Sequence, residues 1–478
     1  MPFKDQLKQW ATQRPDHPAV IAGAQSMSYS QLLASLQSQP QPGRQGISVI
    51  NEPTGAELVV QFCAAVFQGR TAMVLDAGWP QTHQHQLREL ALTWAGHIGS
   101  GERPFLLGLS SGTSNIPKGF LRNAASWRES FEESSRYFCL SDSTRTLAPG
   151  PLSASMNLYA LGESLFTGGT LVVLPQFSAD AAIEAITDHA VNRLVLVPAV
   201  LDIIVRRALA TGADGGMLQH ILCAGSALSQ EVIELARTWA PNARVQQYYG
   251  AAELGFVTAS PVQALEATQP PGTSSTDGGA VTSGGVGLPF PGVQLSIRGE
   301  DGGEVPAGEE GLVSVKSPYI AQGYAWGDDG LAFRALGDNG WHTVHDRGSI
   351  DPEGFLHLAG RASDMIITAG NNVYPHAVEQ ALRSGVDSGA QILVVGIPDT
   401  VRGQRVVAAF YPARQAQGHA SAGILPSLRA AAASLPASHR PLHFYELGEL
   451  PLTGSAKISR VRLAQWIVEG DPRARRRT

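Results

Sequence analysis

Four separated segments of the chain carry residue types that together can handle phosphate, a nucleoside and an ionised acid. The first is Leu109-Ser110-Ser111-Gly112-Thr113-Ser114-Asn115-Ile116-Pro117-Lys118-Gly119. Its glycines let backbone N–H groups converge on an anion, its hydroxyls add donors, and Lys118 contributes a point charge. Pro117 stands where a Walker A loop needs glycine, so this is a different phosphate motif, and by itself it reads equally well as a polar surface turn. The second is Gln246-Gln247-Tyr248-Tyr249-Gly250-Ala251-Ala252-Glu253. A carboxylate at a strand end can hold Mg²⁺ against phosphate oxygens and a tyrosine face can stack on a purine, although a lone Glu there is more often a solvated charge. The third runs from His345-Asp346-Arg347-Gly348 through Gly354 to Gly360-Arg361-Ala362-Ser363-Asp364. An aspartate at such an edge accepts both hydroxyls of a ribose, or else caps its own turn. The fourth is Pro451-Leu452-Thr453-Gly454-Ser455-Ala456-Lys457-Ile458-Ser459-Arg460, whose lysine in isolation is an ordinary surface charge.

These segments need elements to bring them together. Between residues 46 and 250, short β-branched runs at 47–50, 72–75, 105–109, 171–174, 194–197 and 221–223 predict buried strands. Amphipathic stretches at 56–67, 81–94, 179–189, 199–209 and 229–239 predict helices between several of them. The alternation predicts an α/β body built on largely parallel sheet, with ligands at the loops that follow strands. After Glu253 the pattern changes. Residues 272–287 are rich in Gly, Ser and Thr and read as a loop, and 294–298 with 312–316 read as an antiparallel pair in a β-rich subdomain. Beyond Arg361 a small α+β unit follows, with helices at 375–383 and 425–435 and strands at 392–395 and 406–411. The closing Arg473 to Arg477 run reads as a solvated, frayed tail.

Composition limits the function classes. The 478 residues are 43% hydrophobic and 16% charged, enough apolar material for a globular core. Lys and Arg total 35 against 41 Asp and Glu, a formal charge of −6 that argues against a nucleic-acid partner. The cysteines Cys63, Cys139 and Cys223 have no ligand spacing and fit a reducing compartment. Met1 to Trp10 lacks the apolar core of a signal peptide, and 194–205 is too short for a membrane span and contains Asp202. The expectation is a cytoplasmic protein with no membrane span.

Taken in order, the four segments resemble the adenylate-forming superfamily, which includes acyl-CoA synthetases, aryl-CoA ligases, nonribosomal peptide adenylation domains and beetle luciferases. The likeness extends from Met27-Ser28-Tyr29-Ser30-Gln31-Leu32 to Lys457. It implies a body at 1–361, made of parallel-sheet α/β subdomains plus a β-rich subdomain, and a small mobile α+β domain at 362–478. It also implies ATP, Mg²⁺ and CoA, or a carrier-protein phosphopantetheine, as cofactors. A small carboxylic acid is the implied substrate, CoA or an acyl carrier protein the acceptor, and an oligomer is possible.

By the same resemblance, Ser110, Ser111, Gly112, Thr113, Ser114 and Lys118 hold the β and γ phosphates. Gly225, Ser226, Ala227, Tyr248, Tyr249 and Gly250 surround adenine, and Asp346 with Arg361 fixes the ribose. Glu253 holds the metal, and Lys457 with Glu253 and Thr113 performs catalysis. Ser363 and Asp364 form the hinge, with Gly370 to Pro375 and Glu379 opening the mobile domain. Ser155, Tyr159, Val200, Gly250 and Ala251 line the acyl pocket. Ser155 aligns with the aspartate that binds the α-amino group in amino-acid-activating members, so an ammonium there would lie unpaired and amino acids are disfavoured. Ala154 falls near the gating histidine or aromatic of many CoA ligases, so that gate is absent or rebuilt. Further departures are Asn115 and Ala456 at usual glycines, His345 in place of the glycine before the ribose aspartate, and Ser363 at the pivot. The resemblance implies an acyl- or aryl-CoA ligase. A stand-alone enzyme that loads a carrier protein and a non-catalytic nucleotide-binding relative are the alternatives.

Overall fold

The computed structural model describes residues 1–478 apart from 41–45, 97–102, 111–115, 227, 262–284, 329, 331–332, 338, 362–363, 370, 384–385, 387–389, 413–420, 453–457 and 478. Four sheets organise the described residues. The largest has nine strands. Its parallel centre runs through Arg244–Ala251, His220–Cys223, Arg193–Leu196, Arg145–Ala148, Thr170–Val173 and Pro18–Ala22. Antiparallel strands Gly255–Ala259 and Gln25–Ser28 flank that centre. The second sheet has five strands. In it Ile47–Ile50, Thr71–Val74 and Leu106–Ser110 are parallel, and Lys118–Arg122 and Gly323–Trp326 turn back antiparallel.

Side-chain alternation in the large sheet separates two cores. Leu171 and Val173 face a core shared with Ile50, Val74 and helix Ala56–Phe67, so this core lies between the two sheets. Val172 and Leu174 face the opposite core, against helices Ala179–Asp188, Pro198–Thr211 and Gln230–Trp239. Each fully buried aliphatic or aromatic side chain contributes about 1.5–3 kcal/mol, which makes these two layers the main stabilising term. The Met27 to Leu32 stretch has a structural role here. Ser28 caps helix Tyr29–Ser38 in a reciprocal box with Gln31, and the buried Tyr29 hydroxyl donates to the Gly169 carbonyl at 2.8 Å.

The third sheet is the predicted β-rich unit. Gln294–Arg298 pairs antiparallel with Gly311–Lys316, and Asp346–Ile350 with Leu356–Arg361. The predicted loop at 272–287 lies mostly outside the described residues. The fourth sheet is built wholly from residues after 361, with Gln391–Asp399 against Gly403–Tyr411 and helices Pro375–Arg383 and Ser421–Ala433.

The closing arginines are a correction to the sequence reading. Ala474–Arg477 is an edge strand antiparallel to His443–Leu447, not a frayed tail. Arg477 Nε donates to Glu446 at 2.6 Å, and Ala474 is buried beside Leu447 and Trp466. The run is held by strand pairing, with Arg477 facing the Glu446 carboxylate and Arg476 meeting His443 across the pair. No described helix is long and apolar enough to cross a membrane.

Candidate active site

The first two motifs meet through a residue that sequence reasoning missed. Ser110 lies opposite Lys118 on adjacent antiparallel strands, which brings the two ends of the predicted phosphate segment to one edge. Lys118 is only 6% exposed, and its Nζ sits 5.7 Å from the ring centroid of Tyr324. The Tyr324 hydroxyl donates to Glu253 Oε1 at 2.7 Å. Burial first, then the Glu253 charge, pushes this phenol well above its ordinary range. Tyr324 carries no local signal, because its partner lies 71 positions away in the chain.

Glu253 is 8% exposed and held by its backbone as well as its side chain. The Ala321 N–H donates to the Glu253 carbonyl at 2.7 Å. Beneath it the buried Arg122 guanidinium donates to the Ala252 carbonyl at 2.6 Å and to the Tyr319 carbonyl. Burial lowers the Arg122 pKa to about 10, and the Glu253 carboxylate opposes that shift. Glu253 therefore sits in a rigid turn with a cation nearby.

The second and third motifs also meet. The Tyr249 hydroxyl donates to Asp346 Oδ2 at 2.6 Å across 97 positions of chain. Arg361 is opposite Asp346 in strand register. His345 holds φ 60°, the left-handed backbone that favours glycine, and its N–H donates to Thr343 Oγ1 at 3.0 Å. The histidine thus keeps the turn that places Asp346. Tyr248 points to the opposite face, packed on Phe256 with ring centroids 4.6 Å apart, and burial raises its phenol pKa. Gly225 and Ser226 are exposed just after His220–Cys223, whose register with Arg244–Ala251 sets them beside the tyrosines.

The proposed acyl-pocket residues are more scattered. Ser155 begins helix Ser155–Thr167. Tyr159 packs into the inter-sheet core, Val200 into the core on the far face of the large sheet, and Ala251 beside Leu254. A Cβ on Gly250 would fall 2.2 Å from the Gly255 carbonyl oxygen. The hairpin backbone therefore dictates glycine at this position. The Tyr159 phenol hydrogen-bonds Ser130 at 2.8 Å, Ser134 donates to Glu163 at 2.6 Å, and Glu163 pairs with Arg193 at 2.6 Å. This buried polar chain was invisible in sequence because its members come from separate elements.

Ser111, Gly112, Thr113, Ser114, Ala227, Ser363 and Lys457 lie outside the described residues. Of the two residues expected to form a hinge, Asp364 meets Arg460 at 3.4 Å, and Arg460 holds the buried Glu379 at 2.8 Å. Glu379 Oε1 also accepts the Val394 N–H at 2.9 Å. Among the described residues no cluster of three metal-ligating side chains occurs. A single fixed carboxylate suits Mg²⁺, which is bound by one or two carboxylates together with substrate phosphates.

This four-sheet frame joins Tyr249 to Asp346 and Glu253 to Tyr324, in keeping with the adenylate-forming resemblance of the sequence. The chain belongs to the AMP-binding enzyme family, whose model matches residues 49–325. It is 32% identical over 371 residues to an uncharacterized acyl-CoA ligase, YhfT, of Bacillus subtilis (strain 168), covering 77% of this chain and 70% of the relative. It is 31% identical over 313 residues to the indoleacetate-CoA ligase of Aromatoleum aromaticum, covering 65% of this chain and 58% of that relative. The fold matches the O-succinylbenzoate coenzyme A synthetase MenE of Bacillus subtilis in complex with AMP. That match has a TM-score of 0.76 at 21% identity and covers 99% of both chains.

Proposed function

We propose that this protein is an AMP-forming acid–thiol ligase acting on a carboxylic acid without an α-ammonium group, with CoA as the acceptor thiol. The observation that carries the reading is the convergence of Lys118 and Glu253 on Tyr324, with Ser110 opposite Lys118 on the adjacent strand. In the first half-reaction a carboxylate oxygen of the acid attacks the α-phosphorus of ATP, the bond to pyrophosphate breaks, and an acyl-adenylate remains. No general base is needed, since the acid is already ionised near neutral pH. The work is to bring anions together and to stabilise charge on phosphoryl oxygens. Ser110, Ser111, Gly112, Thr113, Ser114 and Lys118 bind the β and γ phosphates. Tyr249 stacks on adenine beside Gly225, Ser226 and Ala227, and Asp346 with Arg361 takes the ribose. Glu253 would hold Mg²⁺, which when bound would supply charge neutralisation to the phosphates. Lys457 stabilises the transition state.

In the second half-reaction the thiol sulfur attacks the acyl carbon and AMP leaves. Residues 362–478 rotate about Ser363 and Asp364 to withdraw Lys457 and present the Gly370 segment to the thiol. Ser155 supports the exclusion of amino acids, because no carboxylate stands there to pair an ammonium.

Pyrophosphate release over a panel of fatty, aryl and amino acids tests the reaction, followed by product analysis with CoA and with a holo carrier protein. Release with fatty or aryl acids and an acyl-CoA product is expected. A carrier-bound product alone would replace the acceptor, and no carboxylate-dependent release would leave a nucleotide-binding protein. Lys457→Ala should abolish adenylate formation while sparing thioester formation from supplied acyl-AMP. Equal loss of both half-reactions would remove Lys457 from its role.

A further inference from the structure

We propose that Tyr324 is a positioning residue that holds the Glu253 carboxylate in the orientation that receives the nucleotide's divalent cation, and that couples this orientation to the phosphate segment. The proposal rests on the reading of Glu253 given above. Tyr324 lies on Gly323–Trp326, an edge strand antiparallel to Lys118–Arg122, with Tyr324 opposite Phe120 and Trp326 opposite Gly119. The edge is locked to the phosphate segment. Trp326 Nε1 donates to the Pro117 carbonyl at 2.9 Å, and a Cβ on Gly119 would lie 2.8 Å from the Trp326 ring. The indole therefore seats on the glycine immediately after Lys118.

The same segment grips the second motif, since the Ala321 N–H donates to the Glu253 carbonyl at 2.7 Å. Tyr324 thus stands on a strand that touches both sides of the site. Its hydroxyl meets Glu253 Oε1 at 2.7 Å, while its ring lies 5.7 Å from Lys118 Nζ and packs edge-on to Phe333. A carboxylate on a two-bond stem swings unless something holds it, and a phenol donating to one oxygen removes that freedom before the cation arrives. Outer partners of this kind are typically worth about 10–100-fold in metal affinity.

The test is ATP binding to the full-length protein by titration calorimetry, in magnesium chloride and separately in EDTA, for wild type, Tyr324→Phe and Glu253→Gln. Tyr324→Phe keeps the ring under Lys118 and removes only the hydroxyl. Its ATP affinity should fall about tenfold or more in magnesium and stay at the wild-type value in EDTA, with an unchanged melting midpoint. Equal weakening in both buffers would overturn the proposal, because the hydroxyl would then serve the phosphate segment or the fold. Wild-type affinity of Tyr324→Phe in magnesium, alongside a weakened Glu253→Gln, would also overturn it while leaving Glu253 as the cation's carboxylate. An unaffected Glu253→Gln in magnesium would instead remove the underlying reading, and this proposal with it.

Discussion

Single residues in this protein often do work their chemical type does not announce. Lys118 and Arg122 are charged yet almost fully buried; Lys118 lies against the Tyr324 ring, and Arg122 donates to the Ala252 carbonyl in the Glu253 turn. Glu163 and Arg193 form a second buried pair, at 2.6 Å with side chains 1% and 3% exposed, and Ser134 satisfies the other Glu163 oxygen. A buried pair contributes little net stability against an apolar replacement, but removing one partner strands the other charge. Glu163→Ala is therefore expected to cost about 3–5 kcal/mol in denaturant unfolding, through the unpaired Arg193 and the loss of its bond to Ser134. A loss below about 1 kcal/mol would mean that Arg193 finds another partner or reaches solvent. Sequence reading singled out Lys118, Glu253, Tyr249 and Asp346 because hydroxyls, glycines and charges cluster around them. It could not find Tyr324, Arg122 or Glu163, whose importance comes only from distant partners.

At the scale of elements, Lys118–Arg122 shows why some strands escaped the pattern. Its sequence, KGFLR, begins and ends with a charge, so hydrophobic alternation fails although both charged ends are buried. Those body elements that the pattern did predict lie within two residues of their bounds, and Ala56–Phe67 and Gln294–Arg298 match in full. Helices Ala124–Tyr137 and Ser155–Thr167 and the parallel strands Pro18–Ala22 and Arg145–Ala148 went unread. The terminal Ala474–Arg477 strand was missed for the opposite reason, since four residues of mostly arginine carry no strand signal until Glu446 and His443 lie opposite. Deleting residues 474–478 should therefore destabilise the unit that contains Trp466 and Leu447 by about 1–3 kcal/mol, lowering its melting midpoint. A frayed tail would show no change on the same deletion.

At the scale of the whole molecule, histidines bind folding to pH. His17, His220, His376 and His443 all have pKa values lowered from 6.5, with burial the first cause in each and neighbouring arginines adding to it. Glu379 pulls His376 the other way without reversing the shift. Below their ordinary pKa the unfolded chain binds more protons than the folded one, so stability rises with pH through this window. The contribution is present above 6.5 and is lost as pH falls below it. The denaturant midpoint should be lower at about pH 5.5 than at about pH 7.5, and an equal or higher midpoint at the acid value would contradict the shared direction of the four shifts.

The same scale separates what was readable from what was not. The sequence by itself determined the class of chemistry and the alternating α/β plan, because phosphate binding and sheet burial each demand residue types at short, local spacing. Only the tertiary structure decided which residues complete the site. The contacts of Tyr249 with Asp346, Tyr324 with Glu253 and Arg460 with Glu379 span 97, 71 and 81 positions. Such contacts depend on strand order and register, which no local pattern encodes. The tertiary structure also decided why Gly250 must be glycine. The sequence marks it as room beside a ligand, whereas the Gly255 carbonyl of the returning strand occupies the space a side chain would need.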